Sequence, residues 1–242
     1  MFKLFLTLSL LGLALPVRAG EVACVYGLAG TVEILKKGET AWQPAAKGMP
    51  LAEGYRLKTG EKANCEIIFR DGTFMKQDAD TETAFDELRS APEDRSFLFN
   101  LVRGKCLWMA AKMKSLKNKF SVRTPSSVCA VRGTDFSIIV SSGGETEAGL
   151  FEGRMAVSVG AREKELTAGS EASVAGGEVA VQARFSRLME VEKKRYEKLK
   201  NRVETLRKRM EARDGFVDDY VSRQQKKISD FDARRAEKLD KR

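Results

Sequence analysis

Residues 119–140 read Lys-Phe-Ser-Val-Arg-Thr-Pro-Ser-Ser-Val-Cys-Ala-Val-Arg-Gly-Thr-Asp-Phe-Ser-Ile-Ile-Val. Two runs suited to strands, Phe120 to Arg123 and Ser137 to Val140, flank a segment punctuated by Pro125 and Gly133. A strand therefore ends, turns and restarts within about 20 residues. Pro125 pushes Thr124 into the extended region and offers no N–H, which puts their junction at a strand end or sheet edge. Gly133, between Arg132 and Thr134, reads as a bulge, a corner, or a place where another backbone comes close. Arg132 lies in an otherwise apolar stretch, so the sequence predicts a partly buried guanidinium clamped by a carboxylate, with Asp71 and Glu152 as candidate partners.

The same grammar extends in both directions. Cys24 to Leu35 holds Val32 and Ile34 on one face of a strand, and Ala63 to Phe69 alternates up to Asp71-Gly72, a hairpin signal of the type I′ kind. Residues 78–94 are acidic and contain Pro92, and read as a strand end plus a surface loop. Asp78, Asp80, Glu82 and Asp86 lack the glycine and terminal glutamate of a calcium loop. Phe97, Phe99 and Leu101 alternate, and Gly104 separates them from Cys106 to Met113, a run that suits either a strand or a short helix. Strand pairs are expected around Glu152-Gly153 and Gly176-Gly177. The sum is about a dozen short strands with glycine turns, a mainly β fold of the stacked sandwich or solenoid kind and not an α/β enzyme.

From Phe185 the period changes. Met189, Tyr196, Val203, Met210 and Val217 fall at successive a positions, and Phe185, Glu192, Leu199, Leu206, Arg213 and Tyr220 at d positions. This predicts a helical coiled-coil tail that breaks near Gly215 and loses its seam past Tyr220. Of the formal net charge of +9, the tail from Arg184 onward carries +8. Acidic residues are interspersed through it, so it reads as a solvated helix face and not as a nucleic-acid arm. The expected organisation is a signal segment over 1–19, a β domain over 20–183 and a basic helical tail over 184–242.

Lys3, the apolar run Leu4 to Leu15, Pro16 and Val17-Arg18-Ala19 form a secretory signal pattern, with an uncleaved anchor as the competing reading. Export makes disulfides among Cys24, Cys65, Cys106 and Cys129 the first expectation, with buried thiols as the alternative. No Cys-x-x-Cys pair is present, and the chain contains no histidine, which argues against a structural zinc site and removes the usual general base and the Ser/His and Cys/His nucleophile systems. Paired-carboxylate chemistry through Asp71, Asp78, Asp80, Asp86 or Asp135 has nothing in the sequence to fix two of them across a cleft. No phosphate-binding glycine loop occurs. No catalytic residue, metal or cofactor is expected.

A family resemblance rests on named residues. Val122-Arg123-Thr124-Pro125, then Val128, Ala130-Val131-Arg132-Gly133-Thr134 and Phe136, resemble the signature of the FecR domain. Gly30-Thr31-Val32, Gly54 with Leu57 and Thr59-Gly60, Phe69 with Asp71-Gly72-Thr73, and Gly149 to Gly153 with Met155 and Val157 support it over about residues 25–182. The resemblance implies an all-β periplasmic binding or signal-relay module without a reaction of its own. It also favours a strand at Cys106. The classical members carry a cytoplasmic domain and a membrane helix ahead of this module, and this chain reads as starting with its signal. The expectation is therefore a periplasmic or secreted, non-enzymatic protein whose β domain binds an envelope protein or cell-wall polymer. Its tail, over 185–220, would oligomerise or dock. A membrane-anchored relay, a coiled-coil scaffold and an envelope carbohydrate hydrolase stand as alternatives.

Overall fold

The computed structural model describes residues 22–91, 94–112 and 118–240, with side chains throughout except at 232 and 235–240. The signal-like segment 1–19, Pro92 and Met113 lie outside the described residues. The chain begins with β1 (Ala23–Ala29), β2 (Val32–Leu35), β3 (Gln43–Pro44), β4 (Pro50–Leu51), β5 (Arg56–Thr59) and β6 (Asn64–Phe69). Then come β7 (Phe74–Gln77), β8 (Glu82–Ser90), β9 (Arg95–Met109), β10 (Lys119–Arg123), β11 (Val128–Val131) and β12 (Asp135–Val140). The last strands are β13 (Thr146–Glu152), β14 (Arg154–Val159), β15 (Arg162–Thr167), β16 (Glu171–Ala175) and β17 (Glu178–Gln182), followed by helices α1 (Arg187–Glu211) and α2 (Phe216–Asp240).

The strands form two layers that share β9. One layer, sheet A, runs β4-β1-β6-β7-β9-β12-β13-β16-β17 and is antiparallel throughout. The other, sheet B, runs β3-β2-β5-β8-β9-β10-β11-β14-β15, with β9 and β10 its one parallel pair among the described residues. The first part of β9 pairs in sheet B and the part after Gly104 pairs in sheet A. Gly104 has φ of 88°, and a Cβ there would overlap Thr81. The glycine expected to separate two strands is instead where a single 15-residue strand changes layer.

Inward-facing positions fill the space between the layers. Phe85, Phe97, Phe99, Trp108, Phe120 and Phe136 form a continuous aromatic contact chain, including a Trp108–Phe136 stack at 5.2 Å and 12°. These side chains are almost fully buried and anchor the core through apolar burial and offset ring contacts.

The strand expectation holds and its details change. Seventeen strands are described, more than the sequence suggested. The acidic stretch expected as loop holds β8, because Thr83, Phe85 and Leu88 point inward while its charged residues face water, with a register shift between Phe85 and Glu87. Asp71-Gly72 does turn the chain, but not as a type I′ pair: only Gly72 has positive φ, and the Asp71 carboxylate accepts from Thr73 N at 2.8 Å. Gly176-Gly177, both at positive φ, close the β16–β17 hairpin as expected. Glu152-Gly153 is a corner, since β13 lies in sheet A and β14 in sheet B.

All four cysteines are buried thiols with no disulfide among them, which corrects the disulfide expectation. Cys65 and Cys106 both face the core but stand two strands apart, each paired across β7 to Gln77. Two strand spacings amount to about 9.6 Å, beyond the roughly 7 Å that a disulfide can span. Cys24 lies on the outer face of sheet A, and Cys129 in sheet B. Burial pushes the Cys65 and Cys129 thiols up to about 12 and raises Cys106 further.

Candidate functional site: the helix-covered sheet and its charged groove

The outer face of sheet A is apolar where strands normally meet water. Cys24, Ile68, Phe74, Leu107 and Met109 project from it, and Tyr196, Val203, Leu206, Val217 and Val221 of α1 and α2 cover them. The stripe expected to pair with another helix therefore packs on the chain's own sheet. Gly215 (φ 73°) sits in the connector between the helices, so the expected break is present, while α2 continues as helix to Asp240.

α1 is placed by its cap. Ser186 accepts from Met189 N at 3.2 Å, and the fully buried Glu171 on β16 holds Ser186 by its backbone N–H (2.6 Å) and hydroxyl (2.9 Å). One turn on, Met189 lies over Gly149, where a Cβ would overlap its side chain. Glu192, the residue that interrupts the heptad, is 1% exposed and accepts from Lys105 Nζ at 2.8 Å. Arg195 bridges Glu192 and Asp78, and Lys105 also pairs with Asp78 at 3.1 Å. The polar residue in the stripe thus has a cation waiting on the sheet, as a buried carboxylate requires. Beside this network a groove of about 500 Å³ opens between α1 and the strands, lined also by Lys62, Lys76 and Lys198.

Farther along α1, the Tyr196 ring stacks on Phe151 at 5.0 Å, and its hydroxyl donates to Glu152 at 2.8 Å. Lys200 also pairs with Glu152, and that hydrogen bond holds the Glu152 carboxyl below its usual range. Arg207 donates to the carbonyls of Gly72 (2.9 Å) and Met109 (2.6 Å). Under this helix end lies Asp135, raised to about 6 mainly by burial, with Arg207 and Tyr196 acting in the opposite sense. On α2, Asp218 accepts from Arg70 at 2.7 Å and the Tyr220 hydroxyl donates to the Tyr26 carbonyl at 2.6 Å.

The motif residues build corners and turns. Thr124 and Ser127 close the β10–β11 turn around Pro125, and Thr146 donates to Thr124 Oγ1. Gly133 (φ 61°) and Gly153 (φ 90°) are corners between the layers, and a Cβ on Gly153 would meet the Gly133 carbonyl at 3.0 Å and overlap Thr134. Thr134 and Phe136 are buried. Arg132 is exposed, which corrects the expected clamp. Its two candidate partners are committed elsewhere: Asp71 to Arg95 at 3.0 Å and to Thr73, Glu152 to Tyr196 and Lys200. Burial raises Asp71, against the pull of Arg95. Sequence reasoning missed Lys105, Glu171, Glu192 and Arg207 as docking residues. The charged d position at Glu192 was a signal for them in the tail.

Among the described residues no group of His, Cys, Asp and Glu is arranged to hold a metal, and no helix is long and apolar enough to cross a membrane. The motif residues thus shape corners and turns between the β layers, and Asp71, Glu152, Glu171 and Glu192 are each held by a neighbouring donor. Residues 55–156 match the family model described as FecR protein. Two crystal structures of a candidate anti-sigma factor from Parabacteroides distasonis ATCC 8503, at 1.65 and 2.50 Å, are similar at 17% identity and a TM-score of 0.46. Each similarity covers 53% of this chain, which thus spans about 59% of that protein's length. No curated protein matches the chain.

Proposed function

We propose that this is a non-enzymatic binding protein of the FecR signal-relay type, exported to the bacterial envelope, which presents the outer face of sheet B to a protein partner. The observation that carries the reading is the difference in cover: sheet A is closed by α1 and α2, while sheet B has no helix on it among the described residues. Glu165, Ala156, Ala130, Ser121, Leu98 and Glu87 form one row across five strand pairings of sheet B. Val128, next to this row, is 36% exposed. This open face mixes small residues and Leu98 between a glutamate at each end, and it is strand surface that the chain's own helices leave uncovered. Sugar polymers are held by open aromatic platforms, and Trp42 on this side is already covered by Lys58, 4.3 Å from its ring centre.

A photo-crosslinking residue at Ala130 or Val128, in protein expressed in its own envelope, tests this. The expected adduct is with a protein and disappears on proteolysis. An adduct only with wall polymer, resistant to protease, overturns the reading in favour of a wall anchor. Turnover of wall fragments, lost on Asp71→Asn or Asp135→Asn while the fold persists, overturns it in favour of a hydrolase.

A further inference from the structure

The two sheets have four edges, and three carry devices that discourage strand addition. β3 and β4 are two residues long and contain Pro44 and Pro50. β15, Arg-Glu-Lys-Glu-Leu-Thr, is densely charged. β17, Glu-Val-Ala-Val-Gln, has five residues, no proline, no lysine or arginine, and a single charge at its start. Unprotected edges of this kind pair with other strands.

The hairpin geometry says which groups β17 offers. Ala175 and Glu178 close the two-residue Gly176-Gly177 turn, so they form a hydrogen-bonded pair, and pairs alternate from there. Ala180 and Gln182 thus bond inward to Ser173 and Glu171. The N–H and C=O of Val179 and Val181 point away from β16. Val181 opposes the fully buried Ala172 and so faces the core side, yet it is 43% exposed because the sheet stops there. After Gln182 the chain turns back over sheet A, where Glu171 holds Ser186, and at the other end of the strand Arg162 of β15 reaches the Gly177 carbonyl at 3.5 Å and Glu178 at 4.0 Å.

We propose that β17 pairs antiparallel with β17 of a second copy of this chain, about a two-fold axis at Ala180. In that register Val179 of one copy exchanges both backbone hydrogen bonds with Val181 of the other, twice over. Glu178 faces Gln182 and Ala180 faces Ala180, so no like charges meet. The same patch serves both copies, and the two nine-stranded sheets A become one. A five-residue pairing is smaller than the roughly 800 Å² per partner of a standard interface, so the dimer is weak and concentration-dependent. Self-association is thereby placed on a strand, because the apolar stripe of α1 is already used within the chain.

Disulfide trapping reads such an association. Residues 180 of the two copies form a non-hydrogen-bonded pair, with Cα atoms about 4.5 Å apart, within disulfide range. Residues 182 are four positions out of register, about 14 Å apart. The native cysteines are buried and do not compete. Under mild oxidation Ala180→Cys is expected to convert to a covalent dimer at least tenfold faster than Gln182→Cys. Adding Val181→Pro, which removes an edge donor and no β16 bond, should slow trapping tenfold while circular dichroism stays unchanged. Val181→Lys serves if the proline variant does not fold. Equal trapping at both positions, no dimer from Ala180→Cys, or capture of a different protein there would each overturn the proposal.

Discussion

The outer face of sheet A presents Ile68, Phe74, Leu107 and Met109 and is buried beneath α1 and α2. The outer face of sheet B presents Ala130, Ala156, Ser121 and Leu98 at equivalent outward positions and stays partly open. Both faces come from strands that alternate, and the outward residues decide the difference. Under the helices sheet A carries outward residues as apolar as the inward ones, in unbroken runs such as Ile67-Ile68-Phe69 and Leu107-Trp108-Met109, with Glu66, Lys76 and Lys105 outward beside them. Such a strand is stable only with cover on both sides. In sheet B the runs read Phe120-Ser121-Val122 and Cys129-Ala130-Val131, which leave a surface that tolerates water. Cover by the chain's own helices and exposure to water are thus set by every second residue.

Truncation gives the largest contrast. Leu206, 6% exposed between α1 and sheet A, should cost about 4 kcal/mol on Leu206→Ala, within the usual range for a buried leucine. Leu98→Ala, on the half-open face, should cost under about 1 kcal/mol. Urea unfolding followed by circular dichroism measures both, and equal losses would dissolve the distinction between the faces. Next comes the buried network: Lys105→Met leaves Glu192 dependent on Arg195 and should cost about 3 kcal/mol. Adding Glu192→Leu should recover most of that loss, because the uncompensated charge goes with it. A double variant no better than the single would mean that Lys105 acts through packing.

The comparison also explains what could be read from the chain alone. Most strands, the interruption at Gly133, the hairpin at Gly176-Gly177 and the helical tail were legible because each depends on local periodicity or on a glycine's freedom. The docking of the tail was not drawn from the sequence. Its signal was split between two distant places, the unbroken apolar runs of sheet A and the misplaced Glu192, and neither has meaning until Lys105 is set beneath α1. Arg132 was misread for a related reason. An apolar neighbourhood in sequence suggested burial, but in a strand the neighbours of an outward residue point the other way, and Arg132 meets water. β8 was hidden by its charges, all of which its outward positions and bulge accommodate.

Protonation separates the faces further. Asp135 lies under α1, and burial raises its carboxyl from 3.8 to about 6. A raised folded-state value means that the stability this group contributes is fully present below about pH 4 and is lost as pH rises through 6. Asp135→Asn should therefore stabilise the protein by about 3 kcal/mol at pH 8, a gain that vanishes near pH 4. Thermal unfolding across that range checks it. If the gain is the same at both pH values, the aspartate is not held near 6 and its burial under α1 has been overstated.

The smallest effect on stability should be the most informative about partners. Ala130→Lys places a charge in the middle of the open row of sheet B, at a residue exposed to water. No buried partner is lost and no cavity forms, so unfolding should shift by no more than about 0.5 kcal/mol. A lysine at the centre of a protein interface, however, must be desolvated when the partner arrives, and central positions carry most of the binding energy. The variant should fold as well as the parent and lose most of the protein adduct formed by a photo-crosslinker at Val128. Retention of that adduct would move the partner's footprint off sheet B, since the substitution changes nothing else that a partner reads.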